Sequence, residues 1–312
     1  MVLVEAMIFI AAMVVLIKAS QVVIDSSIKI SDYTGISQMA IGFILVAIAV
    51  SIPDFTVSVI ASSEGRVPLA IGDVLGSSVA NLCLVLGIAT LMRKVTVGRK
   101  HTLDSSEVLL MISVIPAVIL SRGLVGMFEG ALLLLVFALY SFFVFKKRFR
   151  IRMKDGLNPR EWKKAVALLV VALAAVIISS GFVVSSSAEI AMILGIPEAV
   201  IGMTLLAFGT TLPELAIDFT AIRKGNVALA VGDVLGSTVV NLTLILGAVL
   251  LISPSVVQFS IYTLPIAFIM VANAFLFYSM VKHGTIGQRH GLVFILLYIL
   301  FLILIGTSTN IY

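Results

Sequence analysis

Gly72-Asp-Val-Leu-Gly-Ser-Ser-Val-Ala-Asn81 returns 160 residues later as Gly232-Asp-Val-Leu-Gly-Ser-Thr-Val-Val-Asn241. Around this pair, residues 41–87 align without a gap on residues 201–247, and 22 of the 47 positions are identical. The same offset sets Ala47-Ile-Ala-Val-Ser-Ile-Pro-Asp54 against Ala207-Phe-Gly-Thr-Thr-Leu-Pro-Glu214. Each copy therefore keeps a carboxylate directly behind a proline. Symmetric packing alone does not require duplicated carboxylates.

What surrounds the two copies identifies their solvent. The 312 residues are 61% hydrophobic and only 12% charged, far from the usage of a soluble domain. Hydropathy marks about ten stretches able to cross a bilayer, near residues 2–24, 36–62, 68–92, 105–121, 125–145, 162–186, 195–221, 227–252, 256–281 and 291–309. The expected fold is an all-α membrane protein of about ten transmembrane helices in two five-helix repeats. The first repeat spans 1–145, a connecting loop 146–161, and the second repeat 162–312. Five is odd, so the second repeat is expected upside down relative to the first. Inverted repeats with interrupted helices place a binding site at their interface, near mid-membrane. Glu5, Lys18 and Asp25 make the first stretch unlike a cleavable signal peptide.

The net charge of +5 reflects topology rather than nucleic acid. Connections after odd-numbered stretches hold 18 of the 21 Lys and Arg residues, nine of them between 146 and 164. The positive-inside rule then puts the 146–161 loop in the cytoplasm and both termini outside. The run Lys146-Lys147-Arg148-Phe149-Arg150 reads as this signal, with anionic lipid as a sharper alternative. Cys83 is the sole cysteine, and His101, His283 and His290 fall in connections. That excludes a Cys-rich metal site and argues against Zn2+ or Cu+.

Asp54 and Glu214 lie inside spanning stretches, where a charge costs about 2.5–3.5 kcal/mol or more. No Lys or Arg in the second, third, seventh or eighth stretch is available as a partner. A bound cation is the natural one. Pro53 and Pro213 lack an N–H, so the helix is expected to break, freeing carbonyls around Ala47 to Val50 and Ala207 to Thr210. Asp73, Ser77 and Asn81 recur every fourth residue on one helix face, as do Asp233, Ser237 and Asn241. Gly72 with Gly76, and Gly232 with Gly236, suit close helix approach. Asp73 and Asp233 read as acids near helix starts, complementing the dipole. Asp218, whose counterpart is Ser58, reads as peripheral.

Two carboxylates and two carbonyls make an oxygen-only shell that suits Ca2+, with Mg2+ slower to shed water. The hydroxyls of Ser51, Ser77, Thr210, Thr211 and Ser237 suit Na+. When the divalent ion leaves, Na+ or protons must replace it, which is a physical basis for exchange. Ile71-Gly72-Asp73 resembles half of an intramembrane aspartyl protease motif, but residue 70 is alanine and no partner motif exists, so an enzyme is not expected. A simple cation channel is a further alternative.

The paired motifs resemble the alpha repeats of the cation/Ca2+ exchanger superfamily, usually G-T-S-x-P-E and G-N-x-x-G-S-x-x-x-N/D, over the whole chain. The resemblance implies that Asp54 and Glu214 are the central Ca2+ and Na+ ligands. Ser51, Ser77, Thr210, Thr211, Ser237, Asn81 and Asn241 would surround them, with backbone oxygens of Ala47, Val50 and Ala207. It also implies gating by the first and sixth helices sliding over this core. No cofactor is expected beyond the transported ions, and a monomer suffices because both halves lie in one chain. No regulatory domain is visible in the sequence, so a multi-pass protein of a microbial plasma membrane is expected. Ala49-Val50 replaces the usual Gly-Thr, Asp54 the usual Glu, and Asp73 and Asp233 the usual Asn. Proton-coupled relatives carry Asn where this chain has Ser51 and Thr211. Na+/Ca2+ antiport is therefore the first expectation, and H+/Ca2+ or another divalent-cation antiport the alternative.

Overall fold

The computed structural model describes residues 2–34, 41, 46–63, 65, 67–94, 99–148, 159–193 and 207–308. The beginnings of the expected second and seventh crossings, most of the connecting loop and the last four residues lie outside this set. The described chain is helical apart from two short strands. Six of its helices are long and apolar enough to cross a membrane, and Glu107–Leu120 and Met127–Phe143 are shorter apolar helices.

Helix α1 (Val2–Thr34) runs ten residues past the apolar stretch that announces it. No Gly or Pro interrupts residues 2–34, so polar residues such as Asp25 and Lys29 simply continue the helix. α2 (Ala47–Val50) and α3 (Ile52–Ser63) flank Ser51. α4 (Val67–Val79), a π-helical segment π1 (Ala80–Val85) and α5 (Leu86–Met92) form one continuous rod. α6 (Arg99–Leu120) leads through β1 (Leu124–Val125) to α7 (Met127–Arg148). α8 (Pro159–Ile193) is as extended as α1.

The later elements repeat the earlier ones in length. α9 (Ala207–Thr210) and α10 (Leu212–Arg223) match α2 and α3. α11 (Val227–Val239), π2 (Val240–Ile245) and α12 (Leu246–Ile252) match α4, π1 and α5 residue for residue. β2 (Ser255–Val256) precedes α13 (Phe259–His283) and α14 (Gln288–Ser308). β1 and β2 pair antiparallel, Leu124 opposite Val256.

Packing interleaves the two sets. α1 lies along α8, α6 along α13, α7 against α12 and α14 against α5. The last two contacts are glycine-mediated. A Cβ on Gly130 of α7 would stand 2.6 Å from the Gly247 carbonyl of α12, and one on Gly291 of α14 would stand 2.8 Å from the Gly87 carbonyl of α5. Such backbone approach gains dispersion contacts that lipid tails cannot supply. The main apolar core runs through α4 to α7 and α11 to α14, while a second packs α1, α2, α8 and α10. At the molecule's edges sit the described ion pairs, Arg122–Glu129 at 3.0 Å and Lys224–Asp25 at 2.6 Å.

Candidate ion site

The two breaks are one residue wide. Ser51 (φ −77°, ψ 5°) separates α2 from α3, and Thr211 (φ −85°, ψ −2°) separates α9 from α10. The proline two residues on cannot donate, so the helical ladder skips a rung there. The break frees less backbone than the sequence suggests. Ala47 O still accepts from Ser51 N at 3.0 Å, and Ala207 O from Thr211 N at 3.3 Å. Ala207 O also accepts from the hydroxyls of Thr210 and Thr211, at 3.2 and 3.1 Å. Each carbonyl has two lone pairs, so these oxygens remain chemically able to meet a cation.

Each broken helix leans on the motif helix of the other copy: α2 against α11, and α9 against α4. Gly76 makes the second contact close, since a Cβ there would lie 3.3 Å from the Ala207 Cβ. Gly72 has open space instead. At the site, two hydrogen bonds cross between the copies. Asn241 Nδ2 donates to Asp54 Oδ2 at 3.2 Å, and the Ser77 and Thr210 hydroxyls meet at 3.3 Å. Thr210 also faces the Asp54 carboxylate.

Asp54 and Glu214 are each 1% exposed and close enough to feel one another's charge. Both oxygens of Glu214 and Oδ1 of Asp54 lack a hydrogen-bond partner, as do Ser51 Oγ, Ser237 Oγ, both polar atoms of the Asn81 side chain and Asn241 Oδ1. Buried polar atoms are ordinarily paired, and an unpaired one costs about 1–3 kcal/mol. Here the unpaired atoms gather on duplicated positions of the two broken helices and the two motif rods. Val50 and Ala207 are buried beside them.

Three features escaped the sequence reading. Asn81 and Asn241 each fall in a π-helical segment, at matching positions. The wider π turn shifts a side chain off the α-helical face and recurs at functional sites. No residue type announces it. Asp73 and Asp233 are the seventh residues of their helices, not members of a first turn. There Asp73 accepts from Ser58 at 3.0 Å, so a hydroxyl rather than the helix dipole holds it. Asp218 is not peripheral: it is fully buried and its carboxyl meets that of Asp233. Among the described residues, no three His, Cys, Asp or Glu side chains close on a single metal position.

The chain is similar to known proteins over most of its length. The family model described as "Sodium/calcium exchanger protein" matches residues 4–146 and 164–306. The sodium/calcium exchanger MaX1 of Methanosarcina acetivorans is 30% identical, with 98% of this chain and 99% of that protein covered. Inner membrane protein YrbG of Escherichia coli is 31% identical over 81% of each chain. A solved structure of the sodium-calcium exchanger NCX_Mj, soaked with 10 mM Na+ and zero Ca2+, superposes with a TM-score of 0.87 at 26% identity, covering 96% of this chain and 98% of the other. Matched across both of its copies and most of its length, the chain belongs to the sodium/calcium exchanger protein family.

Proposed function

We propose that this chain is an antiporter that moves Ca2+ in exchange for Na+, by alternating access of one site between the two membrane faces. The observation that carries the proposal is the buried Asp54–Glu214 pair, ringed by unpaired hydroxyl and amide oxygens. Two carboxylates neutralise one Ca2+, and an oxygen-only shell is the one this ion takes. Ser51, Thr210, Thr211, Ser77, Ser237, Asn81 and Asn241 supply further oxygens, and Ala47, Val50 and Ala207 supply backbone ones. Releasing Ca2+ leaves two bare charges in a low-dielectric space, which makes refilling obligatory. Hydroxyls at 51 and 211 favour Na+ as the refilling ion. The same reading has ten crossings in two inverted halves, and the charge distribution puts both termini outside and the 146–161 loop in the cytoplasm. Each copy's acid then reaches the same depth from opposite sides.

The test is 45Ca2+ uptake into proteoliposomes under an outward Na+ gradient, and separately under an outward H+ gradient without Na+. Na+-driven uptake that disappears in Asp54→Asn and Glu214→Gln is the expected result. Uptake driven by protons alone would move the protein to proton coupling. No gradient-driven uptake under either condition would end the Ca2+ assignment.

A further inference from the structure

A cavity of about 630 Å³ opens beside α10 and is lined by none of the ion-site residues. Leu16 of α1, Ile88 of α5 and Leu212, Leu215 and Phe219 of α10 form its apolar wall. Gln21 and Thr220 are the polar groups along that wall, and the Thr220 hydroxyl already donates to the Ala216 carbonyl at 2.7 Å. From Leu212 to Arg223 the cavity follows about 16 Å of helix, at 1.5 Å per residue. That is close to the depth of one leaflet, half of a hydrocarbon core about 30 Å thick.

The mouth of the cavity is cationic. Arg223 stands over the Phe219 ring, 5.8 Å from its centroid. Lys224 is already compensated, since its Nζ donates to Asp25 Oδ1 at 2.6 Å and to the Gln21 carbonyl at 3.3 Å. Arg223 has no acidic partner among the described residues. Nor has Arg93, whose guanidinium lies against Gly225 beside this mouth. The first copy has none of these groups: at the offset of 160, Val59 stands for Phe219, Ser63 for Arg223 and Glu64 for Lys224. A charge bias between the membrane faces accounts for the cations. It does not account for the aromatic ring beneath Arg223, or for an apolar cavity leading inward from it.

A soluble anion would use the mouth and leave the wall empty, and a neutral lipid would use only the wall. An anionic phospholipid uses both, because a guanidinium fork matches a phosphate while the apolar wall takes an acyl chain. We infer that this cavity binds one anionic phospholipid, its acyl chain between α1, α5 and α10 and its phosphate on Arg223, with Arg93 alongside. The inference is independent of which ions are exchanged.

Trp162 is the single tryptophan, so Trp162→Phe with Phe219→Trp sets one fluorophore in the cavity wall and keeps an aromatic ring beneath Arg223. This full-length protein, in detergent micelles, is titrated with phosphatidylglycerol brominated on its acyl chains and, separately, with phosphatidylcholine carrying the same chains. Quenching should half-saturate at about fivefold less phosphatidylglycerol, the effect of one cation on an anionic lipid. Adding Arg223→Gln should bring the two curves together. Ala216→Phe, which fills the cavity, should weaken quenching by both lipids. Coincident curves before Arg223→Gln, or a gap that survives it, would overturn the inference. So would quenching left intact by Ala216→Phe, or phosphatidylglycerol displaced by inorganic phosphate, which would assign the mouth to a soluble anion. Should Ala216→Phe fail to fold, the Arg223 comparison and the phosphate competition decide.

Discussion

Asn273 donates from Nδ2 to the hydroxyl oxygen of Ser113 at 2.6 Å, and the two residues are 160 positions apart. That separation is the offset that superposes 41–87 on 201–247, and α6 and α13 begin at residues 99 and 259, again 160 apart. A residue touches its own counterpart only where the axis relating two copies passes between them. The contact thus marks that axis, between α6 and α13. Both residues are buried, Asn273 completely.

Removing one member of this pair should cost more than removing both. Ser113→Ala leaves the Asn273 amide buried without its acceptor, for an expected loss of about 1–3 kcal/mol. Adding Asn273→Leu should recover much of that, because no unpaired donor remains. Thermal denaturation of the single and double variants in detergent measures the difference. Additive losses would show that the pair is not coupled.

Asn241 is the amide that reaches Asp54 from the other copy. A hydrogen bond to a charged group is worth about 1.5–3 kcal/mol, so Asn241→Ala should weaken apparent Ca2+ affinity by about tenfold or more. Asn241→Asp, which replaces the donor by an acid, should raise the Na+ or proton requirement of uptake instead. Concentration dependence of 45Ca2+ uptake in proteoliposomes separates these effects from a loss of folded protein, which would lower only the maximal rate.

The glycine contacts between α7 and α12 give a sharp comparison. Gly130→Ala drives a methyl group to 2.6 Å from backbone atoms of Gly247 and Leu251, which cannot move aside as a side chain would. Overpacking of this kind costs about 1–3 kcal/mol. Gly287→Ala meets nothing within 4 Å and should leave the melting temperature within a degree or two of wild type, on the order of the ±0.5 kcal/mol typical of benign substitutions. Equal stability of the two variants would contradict the packing of α7 on α12.

Orientation is testable with the single cysteine. Cys83 is fully buried and should resist a membrane-impermeant maleimide until the protein is denatured. In a Cys83→Ala background, Arg122→Cys should label from outside intact cells. Lys282→Cys should label only after the membrane is opened. The reverse pattern would invert the topology.

Much of this protein is legible without coordinates because its solvent is a bilayer. Apolar length alone locates most of the helices, and a gapless repeat pairs their acids, so Asp54 with Glu214 and Asn81 with Asn241 stand out in a single sequence. Helix ends are less legible. Hydropathy follows the apolar stretches, whereas α1 and α8 run past the stretches that announce them.

What the sequence determined by itself is the duplication, the membrane setting and the acids that membrane cost makes conspicuous. Tertiary structure decided the partners. That Asn241 binds Asp54, that Thr210 meets Ser77, and that each broken helix rests on the other copy's motif depend on residues more than 130 positions apart being folded together. The π turns around the two asparagines are equally invisible, since they arise from a shift of backbone pairing rather than from any residue type. Asp218 shows the same limit most clearly. As an unmatched acid it reads as incidental, and only the packing of α10 on α11 turns it onto Asp233, because burial and facing direction are properties of the assembled helices and not of the pattern along one of them.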